Sequence, residues 1–282
     1  MDFIKYITGL LVFFLAVVLL SCEKNVILDL SDTEGKYLIV EANIDDSGVR
    51  QEVRLRHSTS FYDSGKWFPA SDAVVLITDG KKNYYFTQKN SHKERYYNYE
   101  LSSSLVTGNK YYLTVHDAGG TYTASSTIKP VPEIDSVTTR VNLLSRLGII
   151  NEELIDIYIH FENLPDRGNF YLINLYVNDD IQTYTPSQKT VINDTHLKGY
   201  TSMYIRPIRR SDLSRGDKIT LKMRSISREQ YNFYNDFFSQ SELSGNPFAG
   251  APPANIPTNL SEGARGFFQV SSVSSASKIH IP

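Results

Sequence analysis

The stretch of residues 105–115 reads LVTGNKYYLTV and indicates the fold more directly than any other part of the chain. Leu105, Gly108 and Tyr111 are spaced three apart, and the residues after the tyrosine alternate in polarity. This spacing is similar to the tyrosine corner of immunoglobulin-like and fibronectin-like sandwiches. There a tyrosine at a strand start buries its ring and bonds its hydroxyl back to the backbone of the corner. An ordinary strand that begins with tyrosine is the alternative. We favour the corner, which predicts an antiparallel β-sandwich.

The sequence on both sides of this stretch extends the β pattern. Gly119-Gly120 joins it to residues 122–127 as a hairpin, and residues 37–44 place their apolar side chains on one face. Such runs, bounded by turn residues, recur roughly every 8–12 residues, which is typical of a sandwich. The composition, with 19 Tyr and 14 Phe against 3 Met, also favours strands over helices.

Two prolines mark the boundary that we predict between two domains. Residues 130–133 form a stiff linker, because proline cannot donate a hydrogen bond to a central strand ladder. We therefore expect a first sandwich at residues 35–129 and a second β domain at residues 134–282. Residues 213–219 repeat the spacing of the corner with isoleucine in place of tyrosine, which indicates a second sandwich of the same general kind.

The second domain is predicted to carry one amphipathic helix at about residues 227–243. Ser227 can cap this helix, and Gln230 can complete a capping box. Tyr231 and Tyr234 lie on one face at helical spacing. They are candidates for an aromatic platform that binds a ligand or partner. The alternative, which we favour, is that this aromatic face packs the helix onto the second sheet.

A second group of aromatic residues, Phe61, Tyr62 and Trp67, lies in a loop after the second predicted strand. Exposed aromatic side chains can stack on a sugar or anchor a protein partner. A hydrophobic plug over the end of the sandwich is an equally simple interpretation. The group is therefore a candidate site for ligand or partner binding.

The only cysteine of the chain, Cys22, follows an apolar run over residues 10–20. That run suits the core of a signal peptide and is shorter than the ~20 residues that a membrane-spanning helix needs. Leu19, Leu20 and Ser21 precede the cysteine in the pattern of a bacterial lipobox. The sequence therefore predicts that the cysteine thiol is acylated.

The lipobox defines the start of the mature protein that we expect. Residues 1–21 are then a lipoprotein signal peptide, and residues 22–34 are the acylated N-terminus and a tether. Stable attachment to a membrane takes about two acyl chains, which a diacylglyceryl group on Cys22 supplies. An ordinary secretory leader with an incidental cysteine is the alternative.

Composition and motifs exclude several functional classes. With 29 basic and 31 acidic residues, the net charge is −2, and no basic stripe recommends a nucleic-acid partner. The six histidines are scattered, and neither a nucleophile elbow nor a phosphate-binding loop occurs. We therefore expect no enzyme, no cofactor and no resident metal. A calcium site in the turns at Asp45-Asp46 or Asp179-Asp180 remains an alternative.

The segment after the helix carries a family resemblance. It reads GNPF at 245–248, PPANI at 252–256, TNL at 258–260 and GARGFF at 263–268. It resembles the closing segment of a Bacteroidota outer-membrane lipoprotein family known only as domain of unknown function four-two-four-nine. The likeness extends over nearly the whole mature chain. Arg265 departs from it, because the family pattern has an apolar residue there.

The resemblance implies a function but transfers no catalytic residue. Such lipoproteins look like accessory partners of TonB-dependent outer-membrane receptors. We therefore expect a non-catalytic protein, lipid-anchored in the outer membrane and exposed at the cell surface. It would assist nutrient uptake through the loops at one end of a sandwich. A glycan-binding or adhesion lipoprotein is the alternative, and a hydrolase whose carboxylates converge only in space ranks third. The nutrient, the partner and the oligomeric state stay open.

Overall fold

Strands dominate the computed structural model, which describes residues 37–48, 50–59, 67–183, 188–243 and 256–281. The first eight strands are β1 (Leu38–Asp45), β2 (Gln51–His57), β3 (Phe68–Pro69), β4 (Val74–Thr78), β5 (Asn83–Lys89), β6 (His92–Asn98), β7 (Lys110–Asp117) and β8 (Gly120–Thr127). The later strands are β9 (Ile134–Val141), β10 (Leu154–Glu162), β11 (Phe170–Val177), β12 (Asp180–Ile181), β13 (Thr190–Asn193), β14 (Tyr200–Arg209), β15 (Lys218–Ile226), β16 (Ala264–Ser271) and β17 (Val273–Ile279). The α-helices are α1 (Leu143–Arg146) and α2 (Arg228–Leu243). The predicted mainly β sandwich architecture is confirmed.

The first domain is one sheet folded around an apolar core. Its strand order is β16-β1-β2-β6-β5-β4-β7-β8, and β3 pairs with β2. Strand β1 illustrates how the sequence builds it, because Leu38, Val40 and Ile44 are buried while the alternate residues up to Asn43 lie nearer the solvent. The two ends of the sheet approach each other where β16 lies beside β8.

The tyrosine corner is confirmed. The hydroxyl of Tyr111 accepts a hydrogen bond from the backbone N–H of Val106 at 2.9 Å and donates to the carbonyl of Ser104 at 3.5 Å. Its ring is fully buried in the core of the first domain. Gly108 makes the turn at φ +92°, a conformation that side chains rarely adopt.

The second domain consists of two sheets that face each other across a second core. One sheet has the order β14-β10-β9, and the other has the order β12-β11-β15-β17, with β13 also paired to β11. Alternate side chains of β10 and β15 fill the space between them, among them Ile157, Ile159, Phe161, Leu221 and Met223. The alternation of apolar residues over residues 154–161 therefore corresponds to a buried strand face.

The turn before β15 repeats the geometry of the first corner. Gly216 makes it at φ +94°, close to the +92° of Gly108. The carboxylate of Asp217 takes the role of the Tyr111 hydroxyl, because it accepts a hydrogen bond from the backbone N–H of Ser214 at 2.7 Å. The repeated spacing over residues 213–219 therefore corresponds to a second corner of similar geometry.

Helix α2 begins as predicted but with a different capping partner. Ser227 Oγ accepts a hydrogen bond from the N–H of Gln230 at 3.1 Å, as an N-cap should. The side chain of Gln230, however, donates to Asn43 Oδ1 at 2.9 Å instead of closing the capping box. The backbone N–H of Ser227 donates to Gln269 Oε1 at 3.2 Å. The start of the helix thereby joins the two domains.

The end of the chain departs from the predicted division into residues 35–129 and 134–282. Strand β16 belongs to the first sheet, where it pairs in parallel with β1 from Leu38 opposite Ala264 to Asp45 opposite Ser271. Only the following strand, β17, joins the second domain. Because the strand that completes a sheet need not be its neighbour in sequence, the proline linker could not reveal this crossing.

Ser225 lies where the crossing segments of the two domains meet. Its hydroxyl donates to the carbonyl of Lys129 at 2.7 Å and accepts from the N–H of Ser272 at 3.1 Å. Its backbone carbonyl accepts from Ser271 Oγ at 2.6 Å. The residue is 1% exposed. The linker, β15 and the junction between β16 and β17 are therefore fastened at one buried point.

Candidate functional site

A cleft of about 370 Å³ opens where the two domains meet, and we call it the interdomain cleft. Its first-domain wall comes from β1 and β2, and its second-domain wall comes from β11, β12, β15, the segment before β13 and α2. The charged and amide side chains that line it are Glu41, Asn43, Glu52, Arg54, Asn174, Lys189 and Arg224.

The first-domain wall balances its own charges. Arg54 forms an ion pair with Glu52 and lies 3.9 Å from the carboxylate of Glu41. Glu41 also pairs with Arg56 at 3.0 Å, and Glu52 lies 3.6 Å from Arg95. Both carboxylates of this wall therefore already face arginines.

The second-domain wall carries Arg224, which is held from one side. A guanidinium nitrogen of Arg224 lies 2.7 Å from Asp45 Oδ2, and the two side chains are only 19% and 6% exposed. This ion pair crosses from β15 to the end of β1. Among the described residues, the buried Nε of the same guanidinium has no hydrogen-bond partner.

Lys189 lies in the same wall without a described carboxylate partner. Its Nζ donates to Thr183 O at 3.2 Å and to Asn174 Oδ1 at 3.4 Å, which are both neutral oxygens. Burial lowers the pKa of this lysine, and the positive charge of Arg224 lowers it further. The second-domain wall therefore presents positive charge that the described residues do not fully compensate.

A different surface lies at the far end of the second domain, and we call residues 141–150 the distal tip. The large apolar side chains exposed there are Val141 (51%), Leu143 (53%), Leu144 (45%), Leu147 (61%) and Ile149 (65%). The tip connects β9 to β10 and includes the single turn of α1. A cluster of exposed large apolar residues is typical of an interaction surface.

Hydrogen bonds hold the distal tip in a defined conformation. Asn142 caps α1, because its Oδ1 accepts from the N–H of Leu144 at 3.0 Å while its Nδ2 donates to Asp156 Oδ1 at 2.8 Å. The helix ends in a Schellman motif, in which Gly148 has φ +67° and the N–H of Ile149 donates to Leu144 O at 2.9 Å. Ser145 Oγ donates to the carbonyl of Glu152 at 2.8 Å. These hydrogen bonds fix the backbone conformation in which the leucine side chains are exposed to solvent.

Of the three aromatic loop residues that the sequence grouped, the structure describes Trp67. Trp67 is 50% exposed beside β3, and the guanidinium of Arg56 lies 5.4 Å from the centre of its ring. Phe61 and Tyr62 lie outside the described residues, as do the lipobox residues Leu19, Leu20 and Ser21 and the cysteine Cys22.

The aromatic residues of α2 do not form an exposed platform. Tyr231 packs against the second sheet, with its ring 4.9 Å from that of Phe170. Tyr234 is 8% exposed and belongs to the same apolar cluster, although it also lines the interdomain cleft. Burial raises the pKa of Tyr234 to about 12. The packing alternative that we favoured for this helix therefore matches the observed contacts.

Neither of the two surfaces described above was predicted from the sequence. The distal tip had a readable signal, because Leu143, Leu144 and Leu147 follow one another at helical spacing with no apolar partner predicted nearby. The cleft had none, because Lys189 and Arg224 lie 35 positions apart on elements that only the tertiary fold brings together.

The described residues contain no candidate metal-binding cluster and no candidate membrane-spanning helix. Within them, no cluster of three or more acidic, histidine or cysteine side chains is arranged to hold a metal ion. The same part of the chain contains no helix with the length and apolar character needed to span a membrane. The aspartates of the predicted turns contact protein groups instead, such as Arg224 for Asp45 and the N–H of Val273 for Asp46.

The two joined β domains define this molecule as a mainly β protein of sandwich architecture. The chain belongs to the family described as a domain of unknown function (DUF4249), whose model matches residues 23–277. No curated protein matches the chain.

Two solved structures are similar to the chain at low identity. The FN1–FN3 domains of chicken CNTN1 share 12% identity with a TM-score of 0.26, over 66% of this chain and 59% of that one. A cytokine receptor complex shares 9% identity with a TM-score of 0.24, over 69% of this chain and 86% of that one. The chain thus spans less than two thirds of the first structure.

Proposed function

We propose that this protein is a lipid-anchored, non-catalytic accessory protein of a TonB-dependent uptake system at the outer-membrane surface. The lipobox that ends at Cys22 and the family resemblance support the anchor and the compartment. The observation that carries the accessory role is the distal tip, because it presents five large apolar side chains on a hydrogen-bonded scaffold. Burial of such a cluster needs a partner.

The position of the tip suits a partner protein. Strand β9 starts near the domain junction, where the N–H of Ile134 donates to Ser274 Oγ at 2.8 Å, and runs away from it to the tip. Strand β1 starts at Leu38, after the tether, and reaches the junction at Asp45. The tip and the tether therefore attach at strand ends that are distant from the junction, which leaves the tip accessible to a receptor.

Co-purification tests this proposal. The full-length protein is solubilised from the outer membrane in mild detergent, and the proteins recovered with it are identified by mass spectrometry. We expect a TonB-dependent receptor with the wild type and its loss with the double variant Leu147→Asp, Ile149→Asp. Tyr99→Asp is the matched control, because Tyr99 is 73% exposed in the first domain. Recovery without a receptor, or equal recovery by the tip variant, would contradict the proposal.

The anchor is tested separately. Intact-protein mass spectrometry of membrane-derived material is expected to show cleavage before Cys22 and a diacylglyceryl adduct on its sulfur. Cys22→Ser should leave the leader attached and the adduct absent. An unmodified thiol in the wild type would remove the anchor from the proposal while leaving the docking role open to its own test.

Trp67 favours a second candidate function, that of a glycan-binding or adhesion lipoprotein. Its ring is half exposed, and the adjacent Phe68 is 45% exposed. Aromatic rings at a surface stack on sugar faces. A glycan array should then show binding that Trp67→Ala abolishes and that Tyr85→Ala, a control at a 60% exposed tyrosine, retains. Equal binding by both variants would exclude Trp67 as the stacking residue.

A further inference from the structure

We infer that the interdomain cleft binds the oxyanion group, a carboxylate or a phosphate, of a small molecule between Lys189 and Arg224. The inference concerns a ligand of this protein, and it does not depend on the docking role of the distal tip.

The first argument is the charge of the second-domain wall. Lys189 donates hydrogen bonds to two neutral oxygens, and the like charge of Arg224 repels its charge. Buried cations in proteins are usually paired, because removing a charge from water is costly unless an opposite charge replaces the water. An oxyanion between the two side chains would turn their mutual repulsion into two attractions.

The second argument is the geometry of Arg224. Asp45 fixes the guanidinium by a 2.7 Å contact, so its orientation is set before any ligand arrives. The buried Nε–H has no acceptor among the described residues, although buried donors are nearly always satisfied. Guanidinium groups bind oxyanions through several N–H donors at once. The ion pair with Asp45 therefore fixes the orientation of Arg224, whose partly exposed guanidinium lines the cleft and can offer its remaining N–H donors to a ligand.

The rest of the cleft defines the ligand further. Its volume of about 370 Å³ lies in the range of small-molecule sites. The opposite wall pairs its carboxylates with Arg54 and its neighbours, so it offers little uncompensated charge. The amides of Asn43 and Asn174 also line the cleft and can bond to neutral polar groups. The preferred ligand is thus a small molecule with one oxyanion group and a neutral polar remainder.

Isothermal titration calorimetry on the detergent-solubilised full-length protein tests the inference. The probes are inorganic phosphate, succinate and, as an uncharged comparison, glycerol. We expect binding of phosphate or succinate and none of glycerol, and the two anions tell which oxyanion the site prefers. Lys189→Gln should weaken binding by about tenfold or more, since it removes a charge-assisted hydrogen bond.

Lys198→Gln is the matched control, because it makes the same charge change at an exposed lysine of the second domain outside the cleft. It should bind as the wild type does. Thermal unfolding of Lys189→Gln is the control for folding. We expect a midpoint no lower than that of the wild type, which shows that weaker binding comes from the lost ligand contact and not from unfolding. Failure of the wild type to bind either anion would overturn the inference, as would equal affinity of Lys189→Gln and the wild type.

Discussion

Replacing Asn259 with alanine should destabilise the first domain more than its partly buried position suggests. The side-chain amide of Asn259 lies between strands β16 and β8. It makes the hydrogen bonds that a backbone peptide group would make if another strand lay there. Its Oδ1 accepts from the N–H of Phe268 at 3.0 Å, and its Nδ2 donates to the carbonyls of Phe268 at 2.7 Å and Ser125 at 3.2 Å.

The neighbouring positions explain why one side chain has this role. In a strand, the backbone groups of alternate residues point to the same edge. Along this edge of β16, Thr258 Oγ1 donates to Gly266 O at 2.7 Å, and the N–H of Val270 donates to Ser126 Oγ at 2.9 Å. Asn259 thus serves the middle of a row of three positions where side chains replace a backbone ladder.

The expected loss follows from these bonds. Phe268 is fully buried, so Asn259→Ala leaves a buried N–H and a buried carbonyl without their partner. Each such group costs about 1–3 kcal/mol, and the bond to Ser125 adds about 1 kcal/mol. We therefore expect a loss of about 3–7 kcal/mol, a large part of the ~5–15 kcal/mol that stabilises a typical domain.

Urea unfolding at equilibrium measures this loss. Asn259→Asp should be at least as unstable as Asn259→Ala, because a carboxylate cannot donate and would face the carbonyls of Phe268 and Ser125. Asn90→Ala, a change at an exposed turn residue between β5 and β6, is the control and should alter stability little. A loss below about 1 kcal/mol for Asn259→Ala, or wild-type stability for Asn259→Asp, would refute the reasoning.

Three further predictions concern the two corners and the parallel strand pair. Tyr111→Phe should cost about 1–2 kcal/mol in urea unfolding, because the corner loses its side-chain acceptor. Gly266→Ala should cost about 3 kcal/mol or more, since the added Cβ would lie 2.1 Å from the carbonyl oxygen of Val40 and Gly266 has φ +101°. The hydrogen bond from the N–H of Ser214 holds the pKa of Asp217 below its ordinary value of 3.8. The ionised carboxylate therefore stabilises the fold above pH 3.8, and this stabilisation is lost as the pH falls through the lower pKa of the folded protein. Stability measured against pH should therefore fall less steeply below pH 3.8 for Asp217→Asn than for the wild type.

Most of the fold could be predicted from local sequence patterns. The corner at Tyr111 combines a turn glycine, a strand start and alternation within eleven residues, so all its determinants are neighbours. The same holds for the cap of α2 at Ser227. Where a predicted interaction needed a distant partner, the sequence did not suffice: Gln230 was expected to close a local capping box, but it bonds to Asn43 on β1.

The candidate sites were harder to predict, for the same physical reason. The return of β16 to the first sheet depends on a close backbone approach at Gly266, which appears in the sequence only as one glycine among sixteen. Arg224 alternates with apolar residues on β15, and this pattern is also that of an ordinary solvent-facing residue. Its pairing with Asp45, and hence the cleft, exists only once the two domains have met.

The way in which the domains are joined makes the interdomain cleft a preformed site. Opening it by a hinge would break the ion pair of Asp45 with Arg224, the bond of Gln230 to Asn43 and the contacts of the buried Ser225, all of which cross the junction. Each would leave a buried polar group without its partner. The walls therefore keep their spacing when the cleft is empty. The free energy of folding offsets the repulsion between Lys189 and Arg224, so the binding free energy of the ligand does not have to. A site arranged in advance in this way binds with little loss of conformational freedom, so small anions can be retained without domain closure.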